Sequence, residues 1–167
     1  MLIQAFRTFW QRSLLIFCLA SIAWGAVSLP AYAKVDPYIR NYLQVTDPVP
    51  VVLNDRGETR SFSAENLIEG KKLFELHCAS CHVGGSTLPS PAVPLSLAAL
   101  KQATPPRDTV EQLIQFMRQP MTYDGSEDSL LCREVPESWL SQSEVENLSG
   151  FILRAAEKAK GWGSTNF

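Results

Sequence analysis

The sequence predicts an all-α fold with one short β-hairpin near its N-terminal end, and three observations predict it. The first is a pair of capping signatures, Asp108 with Glu111 and Ser141 with Glu144, each followed by apolar residues at helical spacing. The second is another helical stretch, which starts after Ser63 and runs into a cysteine-rich motif. The third is the turn cluster Asn54-Asp55-Arg56-Gly57, which lies between two β-favouring runs as in a hairpin.

Taken in order, the chain opens on what reads as an export signal, residues 1–33. Arg7 and Arg12 precede an apolar run from Leu14 to Leu29, and Ala31-Tyr32-Ala33 closes it with the small-x-small pattern of a cleavage site. The run is a little short of the roughly 20 residues of a spanning helix, so a retained anchor is the competing reading. The remaining residues, 34–167, suffice for a single domain with its own core. Lys34 to Pro50 shows no period and holds Pro37, Pro48 and Pro50, so an extended surface arm is expected. The hairpin then runs from Val51 to Phe62.

Ser63 is the expected N-cap of the first long helix, with Glu65 in its first turn and Leu67, Leu73 and Phe74 inside it. Gly70 costs about 1 kcal/mol there relative to Ala, which suggests that another backbone packs close to it. Gly150 occupies a similar place in the last helix, and a crossing of the two helices at these glycines would account for both. After His82 a loop with Pro89, Pro91 and Pro94 is expected, then a short helix over Leu95 to Leu100. A helix starting at Asp108 follows, with Val110, Leu113, Ile114 and Met117 on one face, and it ends at Pro120. Tyr123-Asp124-Gly125 is a turn, Ser126 to Leu140 is irregular, and a terminal helix opens at Ser141 with Val145, Leu148 and Ile152 on its stripe.

The chemistry sits at Cys78-Ala79-Ser80-Cys81-His82. Two thiols at this spacing can add to the two vinyl groups of one haem, and the adjoining histidine is placed to bind the iron, so one covalently attached haem c is expected. A thioredoxin-like pair would need a βαβ setting, and a zinc site a second ligand pair. Of the four cysteines, Cys18 belongs to the leader, and the only histidines are His77 and His82. His77 adjoins Cys78 on the proximal side and is expected on the helix surface. The sixth iron position is left to Met117, Met121, Cys132 or water. Arg107 could pair with a haem propionate or lie exposed at a helix start. Trp139 and Trp162 could cover haem or belong to the core.

The formal net charge is −2, and loss of the leader's two arginines would make the rest more acidic. No basic patch with interleaved aromatics points to nucleic acid, and no acid–base pair points to an enzyme.

Glu69-Gly70-Lys71-Lys72-Leu73-Phe74, the motif with Val83-Gly84-Gly85, Ala103-Thr104-Pro105-Pro106-Arg107-Asp108 and Thr122-Tyr123-Asp124-Gly125 together carry a resemblance. They resemble the extrinsic low-potential cytochrome c of cyanobacterial photosystem II, within the class I c-type cytochromes. The resemblance implies a class I cytochrome c-like fold, haem c with bis-histidine iron, and a place in the thylakoid lumen on the water-oxidising side of the photosystem. This chain departs from the pattern, because no histidine follows His82 and the nearest counterpart of the family's distal histidine is Cys132. It therefore reads as a divergent paralogue with Cys132 as the expected distal ligand and Met121 as the alternative.

The function this implies is low-potential electron transport, with the lumenal face of photosystem II among the expected partners and peripheral association with the membrane. A structural haem-bearing subunit of a photosystem-like assembly and a redox- or gas-sensing haem protein are the other readings.

Overall fold

The computed structural model describes residues 36–164; the leader expected over residues 1–33, and Cys18 with it, lie outside the described residues. Five helices and one two-stranded sheet make up the described chain: α1 (Pro37–Asn41), β1 (Val49–Val52), β2 (Thr59–Phe62), α2 (Ala64–His77), α3 (Leu97–Gln102), α4 (Val110–Arg118) and α5 (Gln142–Lys158). A single 3-10 turn, Val83–Gly85, follows the cysteine motif. The expected all-α fold with a short hairpin is what forms. Among the described residues no helix is long and apolar enough to cross a membrane.

The N-terminal segment differs from the extended surface arm its prolines suggest. Asp36 caps α1 by accepting from the backbone N–H groups of Tyr38 and Ile39, and Pro37 sits where its missing N–H costs nothing. Ile39, Leu43 and Val45 are fully buried, so the segment is part of the core. Three apolar side chains in seven residues outweigh the prolines, each such burial contributing about 1.5–3 kcal/mol. The hairpin pairs Val49 with Phe62 and Val52 with Thr59 in antiparallel register. Only Val51 and Phe62 of its eight residues are buried, which gives the sheet one wet face.

Ser63 caps α2 as expected, in a reciprocal box with Asn66. Ser141 and Glu144 form the same box at α5. The helix expected from Asp108 starts later: Thr109 is its cap, accepting from the N–H of Gln112, and α4 begins at Val110. Either a threonine or an aspartate oxygen can cap, and Thr109 lies in the extended backbone that an N-cap takes. The short helix is also displaced, to Leu97–Gln102, because Ser96 provides its cap.

The packing of α2 on α5 organises the core. A Cβ built on Gly70 would lie 2.0 Å from the carbonyl oxygen of Asn147 and 2.8 Å from Cβ of Phe151. The expected close crossing is therefore present at Gly70, but its partner is not Gly150. Gly150 instead receives the ring of Phe62 from β2, whose nearest carbon would lie 2.5 Å from an added Cβ. Each glycine lets a different element approach α5's surroundings: Gly70 admits a helix backbone and Gly150 an aromatic ring.

Because the neighbour at Gly70 is backbone, it cannot swing aside. Gly70→Leu is expected to destabilise the fold by on the order of 1–3 kcal/mol in a denaturant titration. A midpoint equal to the parent's would show that the crossing tolerates side chains.

Candidate functional site

The motif begins where α2 ends. Cys78 is the C-cap of that helix, its N–H bonded to the carbonyl of Phe74, and the amide of His82 bonds back to the carbonyl of Cys78. The motif is thus a tight turn carried on the end of the helix that crosses α5. The next residues leave in a loop stitched to the motif: Leu88 N–H donates to Cys81 O at 2.9 Å, and Leu95 N–H to Gly85 O at 2.7 Å.

That loop is covered from the C-terminal end of the chain. Gly85 has φ +81°, and an added Cβ would meet the indole of Trp162 at 2.6 Å. Trp162 Nε1 donates to Leu95 O at 2.9 Å, Gly163 N–H donates to Gly84 O at 2.9 Å, and the Ser86 hydroxyl donates to the Ser164 carbonyl. Trp162 also packs on Phe74 and Phe151. It is a partly buried residue that packs against the core beside the loop. Trp139 is half-exposed and stands edge-on to His77, with Arg133 over its ring. Among the described residues neither tryptophan lines the cleft described next.

A cleft of about 340 Å³ opens beside the motif, within the ~300–1,000 Å³ of small-molecule and cofactor sites. Cys81, His82, Met121 and Cys132 all line it, and its walls are otherwise largely apolar, with Leu95, Leu100, Leu113 and Phe116 among them. Pro89, Pro91 and Pro94 form one edge, as the loop expectation placed them. Met117 is buried in the core away from it.

Cys132 reaches the cleft because its irregular segment is tied down on both sides. Thr122 N–H donates to Glu127 O and Ser129 N–H to Pro120 O, which folds the chain back over the end of α4. The amide of Cys132 itself donates to Ser129 Oγ at 3.1 Å. Downstream, Val135 N–H bonds to Met117 O and Arg118 Nη1 donates to Val135 O at 2.6 Å. The two family-like blocks interlock nearby. Tyr123 OH donates to Ala99 O, Thr104 N–H donates to Tyr123 O, and Gly125, at φ +73°, sits against the carbonyl of Thr104.

The electrostatics of the cleft follow from burial. Burial pushes the Cys78 thiol up to about 12, with Cys132 and Cys81 adding smaller increments. Burial likewise raises Cys132, against the opposing pull of the Arg107 cation. It lowers His82, which favours the neutral imidazole that a metal requires. His82 Nδ1 lies 3.0 Å from Thr87 Oγ1.

Arg107 is only 8% exposed, so the exposed helix-start reading is corrected. Its Nη2 donates to the carbonyls of Met121 and Thr122, and its guanidinium lies 3.9 Å over the Phe116 ring. Nε is buried without a protein acceptor, and among the described residues no carboxylate pairs with this cation. A buried cation without an anion is costly, so whatever fills the cleft is expected to carry negative charge. A haem fits this demand: its body suits the apolar walls, its propionates are anionic, and thiols and an imidazole stand at the wall. Sequence reading missed Thr87 and the burial of Arg107. Neither shows in a motif, because both depend on how the loops after His82 and Pro106 fold.

Comparison with known proteins points the same way. The cytochrome c-550 domain model matches residues 41–167. A cytochrome c-550-like protein of Thermosynechococcus vestitus is 54% identical over 166 residues, covering 95% of this chain and 94% of the relative. The photosystem II extrinsic protein V of Gloeobacter violaceus is 48% identical over 134 residues, covering 80% and 72% respectively. Among solved structures, the PsbV2 cytochrome of Thermosynechococcus elongatus superposes with a TM-score of 0.76 at 58% identity, covering 78% of this chain and 99% of that one.

Removing the indole beneath the motif loop tests how far the C-terminal turn supports the site. Trp162→Ala is expected to cost about 3–5 kcal/mol in chemical denaturation, as for other large-to-small aromatic truncations in a core. A loss below 1 kcal/mol would mean that the turn merely rests on the loop.

Proposed function

The chain belongs to the cytochrome c-550 family, and from that premise we propose that it is a low-potential electron carrier of the thylakoid lumen with its haem iron between His82 and Cys132. Haem c is its cofactor, and when bound it supplies a one-electron ferric–ferrous couple. In this reading Cys78 and Cys81 hold the group by two thioethers, His82 offers its ring nitrogen on one side, and Cys132 offers sulfur on the other. Residues 1–33 serve as a cleaved export signal and residues 34–167 form the mature haem domain.

The observation that carries the proposal is that Cys81, His82 and Cys132 line one largely apolar cleft. With no other histidine near, Cys132 and Met121 are the sulfur donors that the cleft wall offers. Cys132 is favoured because Arg107 places a buried cation where a thiolate gains from it, and because coordination deprotonates a thiol that burial otherwise keeps neutral. An anionic sulfur stabilises ferric iron, which is the basis for expecting a low potential. A second reading, a haem-bearing subunit docked on photosystem II, is favoured by the relatives named photosystem II extrinsic protein V.

Three measurements check this. Mass spectrometry of the mature protein under denaturing conditions should give a chain starting at Lys34 that retains one haem; haem released by acid acetone would overturn the thioether assignment. Cys132→Ala should lose the low-spin thiolate-type ferric spectrum of the parent and raise the potential. If that variant keeps the parent's spectrum, the ligand is not Cys132, and Met121 takes its place. Co-purification with photosystem II distinguishes the docked subunit from a free carrier.

A further inference from the structure

We propose that Thr87 is the positioning residue for the axial histidine: its hydroxyl relays a hydrogen bond from His82 Nδ1 to the Val93 carbonyl and so fixes the ring's tautomer and donor strength. The inference rests on the reading of His82 as an iron ligand.

The argument turns on counting protons. A hydroxyl carries one hydrogen and two lone pairs. The Thr87 hydroxyl donates to the carbonyl of Val93, which can only accept, so its single hydrogen is committed there. Nδ1 of His82 lies 3.0 Å from the same oxygen. With the hydroxyl hydrogen spent, that contact is a hydrogen bond only if Nδ1 carries the proton and donates. In the neutral ring Nε2 is then the bare nitrogen, and it is the one left to meet a metal.

The acceptor end is held in place by the loop. Val93 N–H bonds to Pro91 O at 2.8 Å, and the next anchors are Leu88 N–H to Cys81 O and Leu95 N–H to Gly85 O. Thr87 therefore lies between two fixed points, the motif turn and the proline loop, and it lines the cleft with His82. Two hydrogen bonds in series polarise each other, which strengthens the pull on the Nδ1 proton. A pulled Nδ1 proton makes Nε2 a stronger donor, and a stronger donor favours the ferric state. Thr87 thus acts through His82, without touching the iron, to lower the potential and to stop the ring from rotating.

The test uses the purified holoprotein. Thr87→Val keeps the shape of the side chain and removes the acceptor; it is expected to raise the midpoint potential and to change the anisotropy of the ferric electron paramagnetic resonance spectrum. Thr87→Ser, which restores the hydroxyl, is expected to return both towards the parent. Thr87→Ala serves where the valine variant yields no holoprotein, with the same expected direction. A potential and spectrum equal to the parent's in the valine or alanine variant overturn the proposal, and so does a change that serine fails to restore. His82→Ala separates the two levels. If that variant keeps the parent's low-spin ferric spectrum, the ligand reading itself is wrong; if the spectrum is lost while Thr87→Val stays parental, only the relay is wrong.

Discussion

The contact on which the rest of the structure depends is the crossing of α2 and α5 at Gly70. With a Cβ at that position 2.0 Å from the Asn147 carbonyl, the two helices could not approach as they do. Their approach fixes the position of α2, and the motif turn starts at its C-cap, Cys78. It also sets where α5 delivers the chain, and that is at Trp162, which fills the space beside Gly85 and hydrogen-bonds Leu95. One helix thus presents the cysteines and the histidine while the other roofs the loop that follows them. The hairpin joins the same core by pushing Phe62 against Gly150. Close backbone packing of this kind has little give, because protein interiors are packed as densely as organic crystals.

The cleft is the place where this tight core opens, and its electrostatics show a different logic. Burial raises the Cys132 thiol and lowers the His82 imidazole, which favours the neutral form of each, while Arg107 carries a buried charge among carbonyls and an aromatic face. Such an arrangement is poorly balanced by itself and becomes balanced when an anionic group occupies the cleft. Haem c, the cofactor of the family, is such a group. Cys132 and Arg107 act on each other across this cleft: burial raises the thiol, and the cation opposes part of that rise.

Much of this was legible in the residues, and the misses have physical causes. The cap at Ser63, the capping box at Ser141 and the hairpin turn are local signals, complete within a few positions, and the structure forms each element they announce. Asp36 to Pro50 misled because its prolines and lack of period outweigh, on paper, three side chains that only the assembled core can bury. Thr109 rather than Asp108 caps α4, and the sequence does not show which of two adjacent capping oxygens meets the N–H of Gln112. The glycine pair was read as one crossing, whereas long-range packing gives each glycine its own neighbour. The role of Trp162 and the contact between Thr87 and His82 depend on loop closure. No spacing rule reports such contacts. The resemblance points to Cys132 as the counterpart of the family's distal histidine, and the structure brings Cys132 to the cleft that Cys81, His82 and Met121 also line.

The central claim is that iron in this chain is held between an imidazole and a thiolate. X-ray absorption at the iron edge of the purified ferric protein tests it most directly, because it counts the atoms around the metal without relying on a spectroscopic analogy. The account predicts five nitrogen neighbours and one short sulfur neighbour, with the sulfur lost in Cys132→Ala. A shell with no sulfur, or a sulfur that survives the loss of Cys132, would contradict it.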